Sequence, residues 1–132
     1  MELYVNIYRR ITKVEKNNLM VKCSNDFNLN IDGKKVQSER DAIEILAKSF
    51  NIDDLQDGNW DALSDRLQRS NYIHPERINI FINNSKDLFI KDENSKNIFL
   101  EILSDTVSWW KEDVERYIVD GKRKTFNVYL LD

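Results

Sequence analysis

Apolar side chains recur along this chain at two spacings, and the changes from one to the other divide it into elements. In "FNLNID", Phe27, Leu29 and Ile31 alternate with polar neighbours, and the "DGKK" that overlaps its end predicts a strand closing in a turn at Gly33. The spacing then lengthens. Ala42, Ile43, Leu46 and Phe50 in "SERDAIEILAKSF" repeat at helical intervals, with Ser38 placed three residues before Asp41 as a cap. A second helix is expected from Asn59, its N-cap, with Gly58 permitting an unusual backbone just ahead of it. Trp60, Leu63 and Leu67 then form one buried stripe. Alternation returns in "RINIFIN", where Ile78, Ile80 and Ile82 mark a second strand, and "SKDLFI" predicts a short helical turn. From Asn94 to about Val119, Phe99, Ile102, Leu103, Val107, Trp110, Val114, Tyr117 and Ile118 recur at three and four, a single long helix stopped at Gly121 beside Lys122 and Arg123. In the closing "TFNVYLL", Phe126, Val128 and Leu130 alternate as a third strand.

This order, β-α-α-β-α-α-β, predicts an α/β fold with a three-stranded parallel sheet packed by about four helices, because strands separated by helical crossovers are most easily housed in a parallel sheet. Residues 26–132 form that core in a single domain of residues 1–132. Ahead of it, residues 1–25 carry Arg9, Arg10, Lys13, Lys16 and Lys22 against Glu2 and Glu15. Within them, "LYVNIY" and "LMVKC" on either side of the polar "EKNN" read as a β-hairpin-like extension.

Composition narrows the chemistry. Hydrophobic residues make up 41% and charged residues 33% of the 132 positions, with three glycines and one proline, as expected of an ordered α/β or α-rich fold. A net charge of −3 supplies no global field for a phosphate backbone, so nucleic acid is not the expected direct ligand. A single cysteine, Cys23, allows no internal disulfide, and the opening "MELYVNIYRR" has no export pattern; a cytoplasmic protein, without membrane attachment, is expected. Metal, cofactor and enzyme readings find little material. His74 is the only histidine and sits beside Pro75, the glycines are scattered, and Asp61 and Asp65 share one helix face instead of flanking a cleft. Neither catalysis nor a cofactor is expected.

The most unusual stretch is "DLQDGNWDALSDRL". From Asn51 to Asp65 there are five aspartates (Asp53, Asp54, Asp57, Asp61, Asp65) and no basic residue. A solvated polar face, with Asp57 and Asp61 favoured by the helix dipole, accounts for part of this. Asp65 lies beyond the first turn, and its repulsion with Asp61 costs a few tenths of a kcal/mol that a partner's cation would recover. An acidic helix of this kind suits a basic groove.

The nonamer "NWDALSDRL" resembles the helix-two signature of the barstar family, intracellular inhibitors of secreted ribonucleases, and the similarity extends to "IDGKKVQSERDAIEILAKSF" and "FNVYLLD". The resemblance implies a barstar-like three-stranded parallel sheet. It also implies a helix that plugs the basic active site of a ribonuclease toxin, an aspartate standing where phosphate would sit. On that basis Asp61 and Asp65 match the family's helix-two aspartates, Asp65 as the principal phosphate mimic, and Asn59 matches the helix-opening asparagine. Asp57 and Ser64 belong to the same partner-facing surface. Asp105 corresponds to an acidic contact on the last helix, with an exposed helix carboxylate as the other reading. Trp60, Leu63, Leu67 and Gly58 are structural.

Departures accompany the match. Leu55 and Ser64 stand where the best-studied inhibitor of the family has aromatic residues, Gly58 is displaced by one position, and Trp109 is either core or a partner-facing anchor. Two functions follow: an immunity protein against a ribonuclease toxin, or a barstar-fold module binding a non-ribonuclease toxin or a regulatory partner. A monomer is expected. Under the first reading, truncating Asp65 is expected to damage binding more than truncating Glu39 on the first helix of the core.

Overall fold

The computed structural model describes residues 6–113 and 124–132. Eight principal elements follow in order: β1 (Tyr8–Arg10), α1 (Lys13–Lys22), β2 (Phe27–Asp32), α2 (Glu39–Phe50), α3 (Trp60–Leu67), β3 (Arg77–Asn83), α4 (Glu93–Ser108) and β4 (Thr125–Leu130). Three-residue 3₁₀ turns at Gly33–Lys35, Asp53–Leu55 and Ser85–Asp87 join them, the last of these within the short turn expected at "SKDLFI".

The strands form one parallel sheet in the order β1-β4-β3-β2. The three strands read from alternation are its β2, β3 and β4, and a fourth is added by the extension. Alternation explains the two faces. Ile31, Ile78, Ile80, Ile82, Phe126, Val128 and Leu130 join a core with Leu46, Leu63, Phe99 and Leu103 of α2, α3 and α4. Phe81, Tyr129 and Leu131 point the other way and make a second cluster with Ile11, against which Leu19 and Met20 of α1 pack.

Residues 1–5, which include the start of "LYVNIY", lie outside the described residues; within residues 6–25 the expected hairpin is therefore replaced by a strand and a helix. Its supposed turn, "EKNN", lies inside α1, which opens on a reciprocal cap: Thr12 accepts from the Glu15 amide and Glu15 accepts from the Thr12 amide. "EKNN" has no glycine to take the positive φ of a tight hairpin turn, whereas T-x-x-E starts a helix. The chain then crosses from one edge of the sheet to the other, covering the second face on the way.

A row of asparagines locks this face. Asn28, Asn79 and Asn127 stand in register across β2, β3 and β4. Asn79 Nδ2 donates to Asn28 Oδ1 at 3.0 Å and to Asp26 Oδ2 at 3.1 Å, and Asn127 Nδ2 donates to Asn79 Oδ1 at 3.0 Å. The Ile7 amide donates to Asn127 Oδ1 at 2.8 Å, so the ladder reaches the extension. Polar groups buried on a sheet are tolerable when each finds its partner, and these do.

α2 carries the expected cap: Ser38 Oγ accepts from the Asp41 amide at 3.1 Å. α4 stops at Ser108 and continues as a π-helical turn over Trp109–Asp113, whose Trp110 Nε1 donates to the Leu67 carbonyl at 2.9 Å. One helix is thus tied to the open C-terminal carbonyls of another. The expected continuation to Val119, with its stop at Gly121, lies outside the described residues. Trp109 is half-buried against the main core, the first of its two readings.

Candidate protein-binding surface

α3 and the loop before it form one braced unit. Ile52 and Leu55 are buried and anchor the loop from beneath, and the Gly58 amide donates to the Leu55 carbonyl at 2.8 Å. Gly58 is needed for space. Its φ lies outside the left-handed region, and a Cβ there would stand 2.9 Å from the Leu55 carbonyl oxygen and 3.1 Å from the Ala62 Cβ. This corrects the expectation of an unusual backbone: the tight approach of loop to helix excludes a side chain.

Two neighbours on α2 hold the same unit from the side. Glu39 Oε2 accepts from the Trp60 amide at 2.8 Å, satisfying one of the open donors of the α3 N-terminus. Arg40 donates to the Gln56 carbonyl and lies 3.8 Å from the fully exposed Asp57 carboxylate. Asn59 completes the opening of the helix as its N-cap, accepting from the Ala62 amide at 2.9 Å. Glu39 is for this reason no distant control for Asp65, since its truncation would release the helix start itself.

Trp60 packs half-buried against Phe89 and Phe99, its ring centroid 6.1 Å from each, while Leu63 and Leu67 are fully buried. With that side fixed inward, Asp61 projects into solvent, and Ser64 and Asp65 are partly exposed. Leu55 is fully buried, so the loop position at which an aromatic was missing is core.

The acidic stretch is less bare in three dimensions than in the sequence. Asp65 Oδ2 accepts from Arg66 Nη1 at 2.7 Å, and Arg69 Nε donates to both oxygens of Asp65, at 3.0 and 2.9 Å. Hydrogen bonding from Arg69 in the first place, and from Arg66, holds the Asp65 carboxyl below the usual carboxylate range. Arg66 reaches Asp54 as well, at 3.4 Å, and stacks over Tyr72 with 5.0 Å to the ring centroid. The Tyr72 hydroxyl in turn donates to Asp54 Oδ2 at 3.0 Å. The expected repulsion between Asp61 and Asp65, left for a partner to relieve, is relieved within the chain.

Asp61 makes no ion pair among the described residues, and neither does Asp105, which lies exposed on α4. The structure thus gathers Asp57, Asn59, Asp61, Ser64 and Asp65 on one loop and helix, with Asp105 on the neighbouring helix.

Against this geometry, the family profile described as Barstar (barnase inhibitor) matches residues 27–129. The chain belongs to the barstar family. The matched span starts at β2 and ends within β4, so β1 and α1 stand outside the part that defines the family. Comparison with curated proteins and with solved structures finds no match. Members of the barstar family are inhibitors and not enzymes, and ribonucleases are their protein partners. Among the described residues no cluster of three or more His, Cys, Asp or Glu is arranged to hold a metal, and no helix is long and apolar enough to cross a membrane. Cys23 is half-buried, and burial first, then the Asp26 carboxylate, pushes its thiol up, away from a reactive thiolate.

Five residues that shape this surface, Glu39, Arg40, Arg66, Arg69 and Tyr72, were not among the candidates read from sequence. The Asp65 to Arg69 pair was available to sequence reasoning, since a spacing of four on or near a helix brings side chains together. Glu39 and Arg40 were not, because their link to the loop exists only once α2 packs beside it.

Proposed function

We propose that this barstar-family chain is an immunity protein that binds a basic ribonuclease toxin in the bacterial cytoplasm and occludes its active site with α3 and the preceding loop. The observation that carries the reading is the braced, capped start of α3, which holds the exposed Asp61 carboxylate outward on a rigid base. Preorganisation of this kind reduces the ordering cost of association, and exposed carboxylates steer a basic partner toward the surface. Asp61 and Asp65 face the nuclease cations, Asp57, Asn59 and Ser64 line the contact, and Asp105 adds charge from α4. The chain acts as a monomer, with no turnover, no cofactor, and neither nucleic acid nor membrane as a direct ligand.

Titration into a panel of basic bacterial ribonucleases that includes barnase, with RNA cleavage and binding read together, tests this. Stoichiometric inhibition that is lost in Asp61→Ala and Asp65→Ala is the expected result. Silence across the panel overturns it and favours the second reading, a barstar-fold module for a non-ribonuclease partner. The burial of Leu55 speaks for that alternative, since it leaves the loop without the exposed anchor that usually concentrates binding energy.

A further inference from the structure

On the reading just given, α3 meets a partner's cations, yet the carboxylate at its far end is already occupied. Asp54, Arg66, Asp65 and Arg69 form a chain of alternating charge whose formal sum is zero. A uniformly basic surface arriving here finds a neutral cluster and gains far less than the sequence suggests.

The two arginines are not equivalent. The Arg66 side chain is 25% exposed and is held by Asp54, Asp65 and the face of Tyr72. Arg69 is 55% exposed and pairs through Nε with Asp65 alone. A guanidinium carries five N–H donors, and the terminal four of Arg69 make no hydrogen bond among the described residues. Releasing Arg66 would break three contacts, whereas releasing Arg69 breaks one and frees a planar fork suited to a carboxylate.

We propose that Arg69 is the specificity-determining residue of this surface. It screens Asp65 against partners that are basic throughout and admits a protein that brings a cation to Asp65 and an acidic side chain to the Arg69 fork. Such a partner exchanges one ion pair for two and leaves no charge unmatched. A partner without the acidic group must place its cations beside Arg69, where like charges repel.

The test uses barnase as the probe, with the dissociation constant measured calorimetrically at low and high salt for the wild-type chain, Arg69→Gln, Arg69→Lys and Asp61→Asn. Arg69→Gln is expected to tighten binding at least about tenfold at low salt, from none detectable to measurable where the wild type is silent, and to lose that gain at high salt. Arg69→Lys keeps the charge and is expected to match the wild type. An Arg69→Gln affinity equal to or weaker than that of the wild type overturns the proposal, as does absence of binding by both. An equal gain in Arg69→Lys overturns it too, since shape would then be the cause. Asp61→Asn separates the two readings, and is made in the Arg69→Gln background where the wild type is silent. Weakening by Asp61→Asn in a wild type that binds, without a gain in Arg69→Gln, defeats this inference alone. Unchanged affinity on adding Asp61→Asn to a chain that binds defeats the use of α3 as the binding helix.

Discussion

Single residues on this surface differ in what they have left to offer. Among the described residues Asp61 presents a carboxylate without an ion pair, whereas Asp65 has spent much of its charge on Arg69 and Arg66. Because the folded state lowers the Asp65 carboxyl, the stability this group contributes is present above its unfolded value of about 4 and is lost as pH falls through the lower folded value. Asp65→Asn is accordingly expected to lower stability at neutral pH by about 0.5–1 kcal/mol, the range of partly solvated surface pairs, and the gap to wild type should close in acid. Denaturant titrations at neutral and acidic pH check this, and a gap that persists in acid would contradict the pairing. Gly58 makes a different point. Gly58→Ala is expected to destabilise by about 1–3 kcal/mol, since the new Cβ must displace the Leu55 carbonyl or the helix. Indifference to the substitution, measured by thermal melting, would show that the loop has room to move.

At the level of elements, α3 is short and depends on its supports. Its eight residues lie below the length at which a helix holds in water by itself, so the Asn59 cap, the Glu39 acceptor and the buried Leu63 and Leu67 set its position. Glu39→Ala should cost about 1 kcal/mol of stability and also weaken partner binding, although Glu39 is absent from the exposed acidic face. Binding that survives this change intact would mean that the helix start is rigid without it. The asparagine ladder is the other element-scale device. Asn79→Ala strips Asn127 Nδ2 and Asn28 Oδ1 of a buried partner and is expected to cost about 1–3 kcal/mol, measured by denaturant unfolding. In the sequence these asparagines occupy the polar half of ordinary strand alternation, with nothing to mark them as facing one another.

Across the whole molecule, the sheet is covered on both faces by different parts of the chain. α2, α3 and α4 cover one face and position the acidic surface, while α1 and Ile11 cover the other and β1 extends the sheet at its edge, all three outside the span that defines the family. The two faces should therefore be separable. Ile11→Ala, in the smaller cluster, is expected to reduce stability by about 2–4 kcal/mol while leaving ribonuclease binding through α3 unchanged. Loss of binding in folded Ile11→Ala protein would instead tie the extension to the site. Periodicity alone was sufficient for β2, β3, β4, α2 and α3, and the nonamer from Asn59 to Leu67 was sufficient for the family, because these features rest on short-range spacing and local capping. It failed in the extension, where a strand and a helix of marginal pattern are stabilised by contacts with β4 and Phe81, far away in sequence.

The sequence by itself determined the parallel α/β core, the capped acidic helix and its kinship, since apolar spacing, a cap residue and a motif are all local properties. Only the tertiary structure decided which of the aspartates remain unpaired. The five acids of the stretch from Asn51 to Asp65, which holds no basic residue, become after folding two exposed carboxylates without an ion pair among the described residues, Asp53 and Asp61, beside three answered by Arg40, Arg66 and Arg69. Charge is read along a chain but acts through space, and the cations that answer these carboxylates arrive from α2, from the last turn of α3 and from just beyond it.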